Sequence, residues 1–116
     1  MEIEELIKIA ESDSWTVTEE EYTNGEGLLF SRRSPAGQDF SISTGPFESA
    51  EELLEHIKEY HDNFDVDYET YIWLDSDGHG KNGAPYHIKD VVEDMEYCKK
   101  MILDLYKLLL GAYEKK

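Results

Sequence analysis

Residues 15–43 have the sequence WTVTEEEYTNGEGLLFSRRSPAGQDFSIS, in which apolar and polar side chains alternate in three segments. The first segment begins at Trp15, the second runs from Leu28 to Arg33, and the third begins at Phe40. Alternation with a period of two is typical of strands that bury one face. We therefore predict three strands.

Two turn signals separate these strands, Asn24-Gly25 and Ser34-Pro35-Ala36-Gly37. Asn-Gly tolerates positive φ, and proline and glycine favour tight turns. Strands joined by connections this short pair with their neighbours in opposite directions. The sequence therefore predicts an antiparallel meander.

Helices are predicted on both sides of the meander. Apolar residues recur at helical spacing over about ten residues from Ile3, and again after Ser49, where Ser49 and Glu52 match a capping box. A third stretch, about 25 residues from Ile88, carries an apolar stripe formed by Ile88, Val91, Val92, Met95, Ile102, Leu105, Leu109 and Ala112.

Residues 65–74 are ambiguous between helix and strand. Asp65 or Asp67 is placed to cap a short helix ending at Trp73, whereas residues 71–73 also suit a strand. We prefer the helix. The prediction is a single α+β domain over residues 1–116, with a three-stranded antiparallel meander packed against helices in the order α-β-β-β-α-(α)-α.

Charge is the dominant feature of the composition. The 116 residues contain 27 acids and 11 lysines or arginines, a formal net charge of −16, and 40% are hydrophobic. Such a field repels nucleic acid and anionic membranes and attracts basic proteins. The apolar content is too high for a disordered acidic tail, so we expect a folded protein with a basic protein as its partner.

The acids are concentrated in particular segments. Residues 47–75 contain ten acids and one lysine, whereas residues 90–116 contain six acids and five lysines. Regularly spaced carboxylates can imitate the phosphates of a duplex; the alternative is an ordinary solvated helix face. Both alternatives place the same side chains outward, and the expected partner-binding residues are Glu51, Glu52, Glu55, Glu59, Asp62, Asp65, Asp67 and Glu69.

The glycine-rich loop at 75–85 is the second candidate site. It contains Gly-x-Gly-x-x-Gly at 78–83, but no second parallel strand follows, as a dinucleotide site requires. It also begins like a calcium loop but has Tyr86 where the bidentate glutamate belongs. An alternative function is therefore a small-ligand or metal-binding domain, with candidate residues Asp75, Asp77, His79, Lys81 and Asn82.

Catalytic signatures are weak. His56 and His61 are five residues apart, which does not place both on one helix face, and no serine lies in a nucleophile elbow. The single cysteine, Cys98, excludes an internal disulfide and lies within a helical pattern. We expect a non-enzymatic protein without a cofactor or a designed metal site.

The sequence also contains no apolar run long enough for a membrane span, and its first residues are acidic where a signal peptide is basic. We expect a cytoplasmic protein that contacts neither membrane nor nucleic acid directly. The long final helix, over residues 88–112, is also a candidate homodimer surface.

Four stretches carry a resemblance: Trp15–Thr18, Ser34–Phe40, Phe64–Asp67 and Gly80–Pro85. In this order, followed by a long helix, the chain resembles a group of short, acidic, uncharacterised proteins of gut bacteria and their mobile elements. The resemblance implies a bacterial, cytoplasmic protein associated with phage or plasmid. Small acidic proteins of such elements sometimes inhibit nucleases by mimicking DNA. The resemblance supplies no catalytic or binding residues.

Overall fold

The computed structural model describes residues 2–81 and 83–115, and its elements follow the predicted order. The helices are α1 (Ile3–Ser12), α2 (Ala50–Asp62), α3 (Val66–Ile72) and α4 (Ile88–Glu114). The strands are β1 (Thr16–Tyr22), β2 (Gly25–Arg33) and β3 (Asp39–Ser43). The ambiguous segment at 65–74 is the helix α3, with Asp65 as its N-cap and Trp73 as its C-cap.

The three strands form one antiparallel sheet in the order β1-β2-β3. Val17 pairs with Phe30, which pairs with Ile42, and this row faces the core. The adjacent row, Thr16, Ser31 and Ser41, faces the other way and places hydroxyl groups towards solvent. The period-two pattern of the sequence therefore separates an apolar face covered by helices from a polar face.

The β1–β2 turn differs from the prediction by one residue. Thr23 and Asn24 connect the strands, and Gly25, which pairs with Tyr22, has the positive φ of 145°. The Asn24 position keeps a negative φ, so glycine rather than asparagine supplies the conformational freedom at this turn.

The capping box at the start of α2 also forms with a change. Ser49 Oγ accepts the N–H of Glu52 at 3.2 Å, as predicted. The Glu52 carboxylate, however, accepts the N–H of Glu48 at 2.9 Å rather than that of Ser49. The side chain of Glu52 thus binds the backbone of Glu48, the residue that precedes the N-cap, instead of the backbone of the N-cap itself.

Helix α4 is the centre of the helical layer, because α1, α2 and α3 all contact it. Its buried stripe includes Met95, Ile102, Leu105 and Leu109, which pack with the apolar face of the sheet in one core cluster. The spacing predicts that Ile88 lies on this stripe, but its side chain is 46% exposed because the first turn of α4 extends beyond the core.

One acid of α4 faces inward. Asp94 is only 4% exposed, and its carboxylate accepts the Ser34 hydroxyl at 2.6 Å, the Ala36 N–H at 3.0 Å and the Gln38 side-chain amide. These donors belong to the β2–β3 connection. A buried carboxylate is tolerated only when its oxygens are hydrogen-bonded, so this contact fixes the β2–β3 turn on α4.

We predict that Asp94→Ala lowers the free energy of unfolding by about 3 kcal/mol, because it orphans buried donors and leaves a cavity. Urea denaturation measures the change. Asp104→Ala is the matched control: its carboxylate pairs with Lys100 at 2.9 Å on the exposed side of the same helix, and its loss should cost less than about 1 kcal/mol. Equal losses for the two variants would contradict a structural role for the buried carboxylate.

Candidate functional site

The acids of α2 lie opposite its buried face. The helix buries Leu53, Leu54 and Ile57, and a period of 3.6 residues puts the positions between them towards solvent. Five of the expected partner-binding residues occupy that outward side: Glu51, Glu52, Glu55, Glu59 and Asp62. Glu52 is half-buried by its capping contact and the others are exposed.

Two of these acids have further partners within the chain. Glu51 accepts the hydroxyl of Tyr113 near the end of α4, and this contact raises the pKa of Tyr113. Asp62 contacts His61 and the ammonium group of Lys58, each at 3.0 Å, and these bonds lower the pKa of Asp62. Glu51 therefore joins α2 to α4 as well as contributing charge, whereas both bonds of Asp62 stay within α2.

Helix α3 continues the acidic side. Asp65 caps it by accepting the N–H groups of Asp67 and Tyr68 at 3.0 and 3.3 Å. Asp67 is exposed, and Glu69 is half-buried because it faces back towards α2. Four of the eight predicted residues have carboxylates that make no hydrogen bond or ion pair with any residue that the structure describes: Glu55, Glu59, Asp67 and Glu69.

Aromatic side chains accompany the acids of α3. Tyr68 and Tyr71 are 61% and 75% exposed and lie one helical turn apart, on the side opposite the buried Thr70. Ile72 is exposed beside them. We call the eight acids together with Tyr68 and Tyr71 the α2–α3 surface; it combines negative charge with aromatic area that the core does not use.

A cleft of about 400 Å³ opens at the flank of this surface. It contains side chains from both helices, the connection between them and the residue after β3, and we call it the His56 cleft. Its lining residues are Thr44, His56, Glu59, Tyr60, Asn63, Phe64 and Glu69.

The environment of the cleft disfavours additional negative charge. Burial, followed by the charge of Asp65, raises the pKa of Glu69. Burial and then the nearby Glu69 raise the pKa of Tyr60, whose hydroxyl donates to the Ser41 carbonyl oxygen at 3.2 Å. The Nδ1 atom of His56 is buried without a hydrogen-bond partner among the described residues.

The second candidate site, the 75–85 loop, uses its polar groups to hold its own turns. Asp75 accepts the N–H of Ser76 at 2.8 Å, and Asp77 accepts that of His79 at 2.9 Å. The His79 ring stacks on Tyr86 at 4.0 Å between centroids. Among residues 2–81 and 83–115, no group of three His, Cys, Asp or Glu side chains is arranged to hold a metal ion.

The two remaining candidate residues of the loop are Lys81 and Asn82. The Lys81 side chain is exposed, and its backbone N–H donates to the Trp73 carbonyl oxygen at 2.8 Å. Asn82 lies outside the described residues.

Gly80 approaches the Pro85 backbone so closely that a Cβ atom there would lie 1.7 Å from the Pro85 oxygen. The glycine at this position is therefore required by the turn, which is a reason for its presence other than phosphate binding.

Cys98 is fully buried against the core. Burial, with smaller contributions from Asp94 and Glu69, raises the pKa of its thiol to about 12. A thiol that is neither accessible nor ionised is a poor nucleophile, which supports a structural role.

Sequence reasoning missed the His56 cleft. The spacing of four between His56 and Tyr60 indicates a shared helix flank, and that was the available signal. This spacing gave no indication that Glu69 and Thr44 line the same cleft, because Glu69 belongs to α3 and Thr44 follows β3.

Along the described residues, none of the helices combines the length and the apolar character that crossing a membrane requires. Comparison with known proteins found no matching protein family, no similar curated protein and no similar solved structure.

We predict that Ca²⁺ and Zn²⁺ leave the melting temperature unchanged, because the loop carboxylates already accept bonds from their own backbone. A metal that binds the loop, at a free concentration one hundred times its Kd, would instead add about 2.7 kcal/mol of stability. Thermal denaturation detects such a change as a shift of several degrees. A screen that includes nucleotides tests the small-ligand alternative in the same way. A saturable shift that Asp75→Asn together with Asp77→Asn removes would establish the loop as a ligand site.

Proposed function

We propose that the chain is a non-enzymatic acidic domain that binds a basic protein through its α2–α3 surface. The observation that carries this proposal is the exposure of Tyr68 and Tyr71 beside the carboxylates of Asp67 and Glu69, which have no partner among the residues that the structure describes. Tyrosine provides large, rigid contact area with a polar end and is enriched in protein interfaces.

The fold gives these tyrosines no packing role of the kind that buried aromatics have. Thr70 supplies the fully buried position of α3, and Val66 and Trp73 pack against the core cluster from the same side. Tyr68 and Tyr71 point the other way. Exposed aromatic side chains that lie side by side are typical of an interaction site rather than of a solvated helix face.

Charge supports the same proposal. The carboxylates of Glu55, Glu59 and Asp67 are unpaired within residues 2–81 and 83–115, and they add to the field of a chain whose net charge is −16. A field of one sign accelerates encounter with an oppositely charged partner, and contacts at short range then determine affinity. The carboxylates would steer the partner, and the tyrosines would provide the close contact.

We further propose that the basic partner is a nucleic-acid-binding protein. The outward acids of α2 recur at spacings of three and four residues, so successive carboxylates are about one turn, or about 5.4 Å, apart along the helix. A regular row of negative charges suits a protein channel that binds phosphates. If the row enters such a channel, duplex DNA should compete with the chain for the partner.

We predict that the triple variant Glu55→Lys, Glu59→Lys, Asp67→Lys loses at least about tenfold in affinity for its protein partner. These side chains make no bond within the described fold, so their reversal removes attraction without removing a structural contact. The measurement is capture from bacterial lysate at low and high salt, followed by titration of the purified captured protein.

The matched control reverses Glu4, Glu19 and Glu21, which are exposed on α1 and β1 and give the same change in net charge. It should retain binding to within about threefold, since steering depends on net charge more weakly than on local charge. Equal losses in the two triple variants would show that overall charge, not the α2–α3 surface, governs the interaction.

We predict that replacing Tyr68 and Tyr71 together with alanine leaves the free energy of unfolding within about 0.5 kcal/mol per site, because both side chains are exposed. The same variant should weaken partner binding by more than about 1 kcal/mol. Urea denaturation and calorimetric titration provide the two values. Tyr97→Ala, on the exposed side of α4, is the control, and binding losses as large as those of the double variant would refute the assignment.

A further inference from the structure

Helix α3 exposes much apolar surface for its length. Tyr68, Tyr71 and Ile72 are three of the eight large apolar side chains exposed among the described residues, although α3 has only seven residues. Tyr68 lies three positions before Tyr71 and four before Ile72, so the three side chains share one side of the helix. Ile72 is 42% exposed, and its side chain has no polar atom. A contiguous exposed group of this kind marks an interaction site, whereas single exposed apolar side chains are ordinary.

A groove of about 610 Å³ lies against this side of α3. One wall comes from the helix and Leu74, and the other comes from the turn that follows. We call it the α3 groove; it is lined by Tyr68, Tyr71, Ile72, Leu74, three residues of the 75–78 turn, and Lys81. A space of this size is large enough for one bulky side chain of a partner.

Backbone contacts fix the two walls relative to each other. Leu74 forms an isolated antiparallel bridge with Gly80. The N–H of Lys81 donates to the carbonyl oxygen of Trp73 at 2.8 Å, and Trp73 packs against the core. The turn is therefore joined to the end of α3 and through it to the folded body. A preformed groove needs little ordering when a partner binds, which favours affinity.

Acids flank the α3 groove. Residues 65–77 contain five acids and no lysine or arginine. Asp67 lies in the first turn of α3, and its carboxylate has no partner among the described residues. Asp75 lines the groove beyond the end of α3, and one of its carboxylate oxygens accepts a backbone N–H of its own turn. Lys81 contributes one cation to the lining, so acids predominate, and a complementary partner carries positive charge on both sides of an apolar group.

We infer that the α3 groove receives one large apolar side chain of a partner segment that has a lysine or arginine on each side of it. The inference rests on the proposed function and adds the chemistry of the contact. The apolar side chain would pack against Ile72 and Leu74 between the tyrosine rings, and the cations would approach Asp67 and Asp75. Because the hydrophobic contribution grows with the apolar area removed from water, a large side chain is favoured over a small one.

A second copy of this chain does not suit the α3 groove. Each chain has a net charge of −16, so an approach to the groove would bring acids against acids. The chain alone should therefore sediment as a monomer. A dimer that Ile72→Ser dissociates would show that a second copy occupies the groove, and this result would overturn the inference.

The direct test compares two peptides of equal charge, acetyl-Lys-Gly-Phe-Gly-Lys-amide and acetyl-Lys-Gly-Ala-Gly-Lys-amide, in NMR titrations of the full chain. Alternate side chains of an extended peptide point to the same side, so the lysines and the central side chain can reach the protein together. The phenylalanine peptide should bind at least about fivefold more tightly, and its ring should shift the methyl resonances of Ile72 and Leu74. Equal affinities, or shifts that avoid these methyl groups, would indicate attraction to charge alone and overturn the inference.

Ile72→Ser should weaken binding of the phenylalanine peptide by at least about fivefold and leave the alanine peptide unchanged. Ile88→Ser is the matched control, because Ile88 is similarly exposed and lies at the start of α4, outside the groove. It should leave both affinities unchanged. A folded Ile72→Ser protein that still prefers the phenylalanine peptide to the same degree would refute the site.

The acidic flanks have a separate test. Asp67→Asn together with Asp75→Asn should weaken both peptides alike, by at least about twofold, because both peptides carry the same two lysines. Asparagine retains an oxygen that can accept the backbone N–H at position 75, so the turn should keep its shape. Unchanged affinities for both peptides would contradict the pairing of cations with these carboxylates.

The captured protein partner separates this inference from the proposed function. If reversal of Glu55, Glu59 and Asp67 weakens capture, while Ile72→Ser does not and the two peptides bind equally, the groove inference fails alone. If the phenylalanine peptide binds selectively through Ile72, while charge reversal leaves capture unchanged, the proposed function fails and the groove is a site for an apolar side chain of another protein.

Discussion

The Asp94 carboxylate is the only acidic or basic side chain fully buried among the described residues, and the arrangement of the sheet on the helices depends on its hydrogen bonds. Its donors all come from the β2–β3 connection, so the contact fixes the end of the sheet against the first half of α4. Apolar packing alone is non-directional and tolerates sliding, whereas a carboxylate with three donors defines one position. The sheet can therefore turn its apolar face to α4 and leave its hydroxyl-bearing face open.

With the sheet fixed there, the second half of α4 is left for α2. The contacts at the two ends show that the helices run in opposite directions: Glu51 at the start of α2 binds Tyr113 near the end of α4, and Asp62 at the end of α2 lines a depression with Lys99. This placement turns the acids of α2 outward. It also brings α3 back across α4, so that Glu69 faces the flank of α2. The acidic surface and the His56 cleft are consequences of one packing arrangement.

The architecture was predictable from the sequence because the signals are local. Alternation from Trp15 to Ser43 and the proline-glycine turn specify the meander, and the caps at Ser49 and Asp65 specify helix starts. Asp94 was missed although it lies three residues after Val91 and four before Cys98, both on the apolar stripe of α4. An acid at such a spacing is a signal of a buried, hydrogen-bonded carboxylate, but its donors lie about 60 residues earlier, and no local pattern connects them.

The exposure of Ile88 could not be predicted for a different reason. Its spacing places it on the stripe, but the stripe predicts burial only where a partner element is present, and no described element covers that side chain. The cleft was unpredictable for a related reason: its lining comes from α2, α3 and the residue after β3, and only the folded chain brings these together. Periodicity predicts which side chains share a face of a helix, and packing determines which of these faces contact each other.

Strong net charge gives the protein attraction without selectivity. A charge of −16 draws any basic surface at low salt, and at physiological ionic strength this attraction extends only about 8 Å. Selectivity requires contacts that a wrong partner cannot make, because discrimination is a difference between affinities. On the described surface these contacts would come from Tyr68 and Tyr71, which need a complementary shape. A cationic partner without a surface that fits these two rings would gain only the long-range attraction, so the tyrosines would discriminate among partners that the acidic helices attract equally.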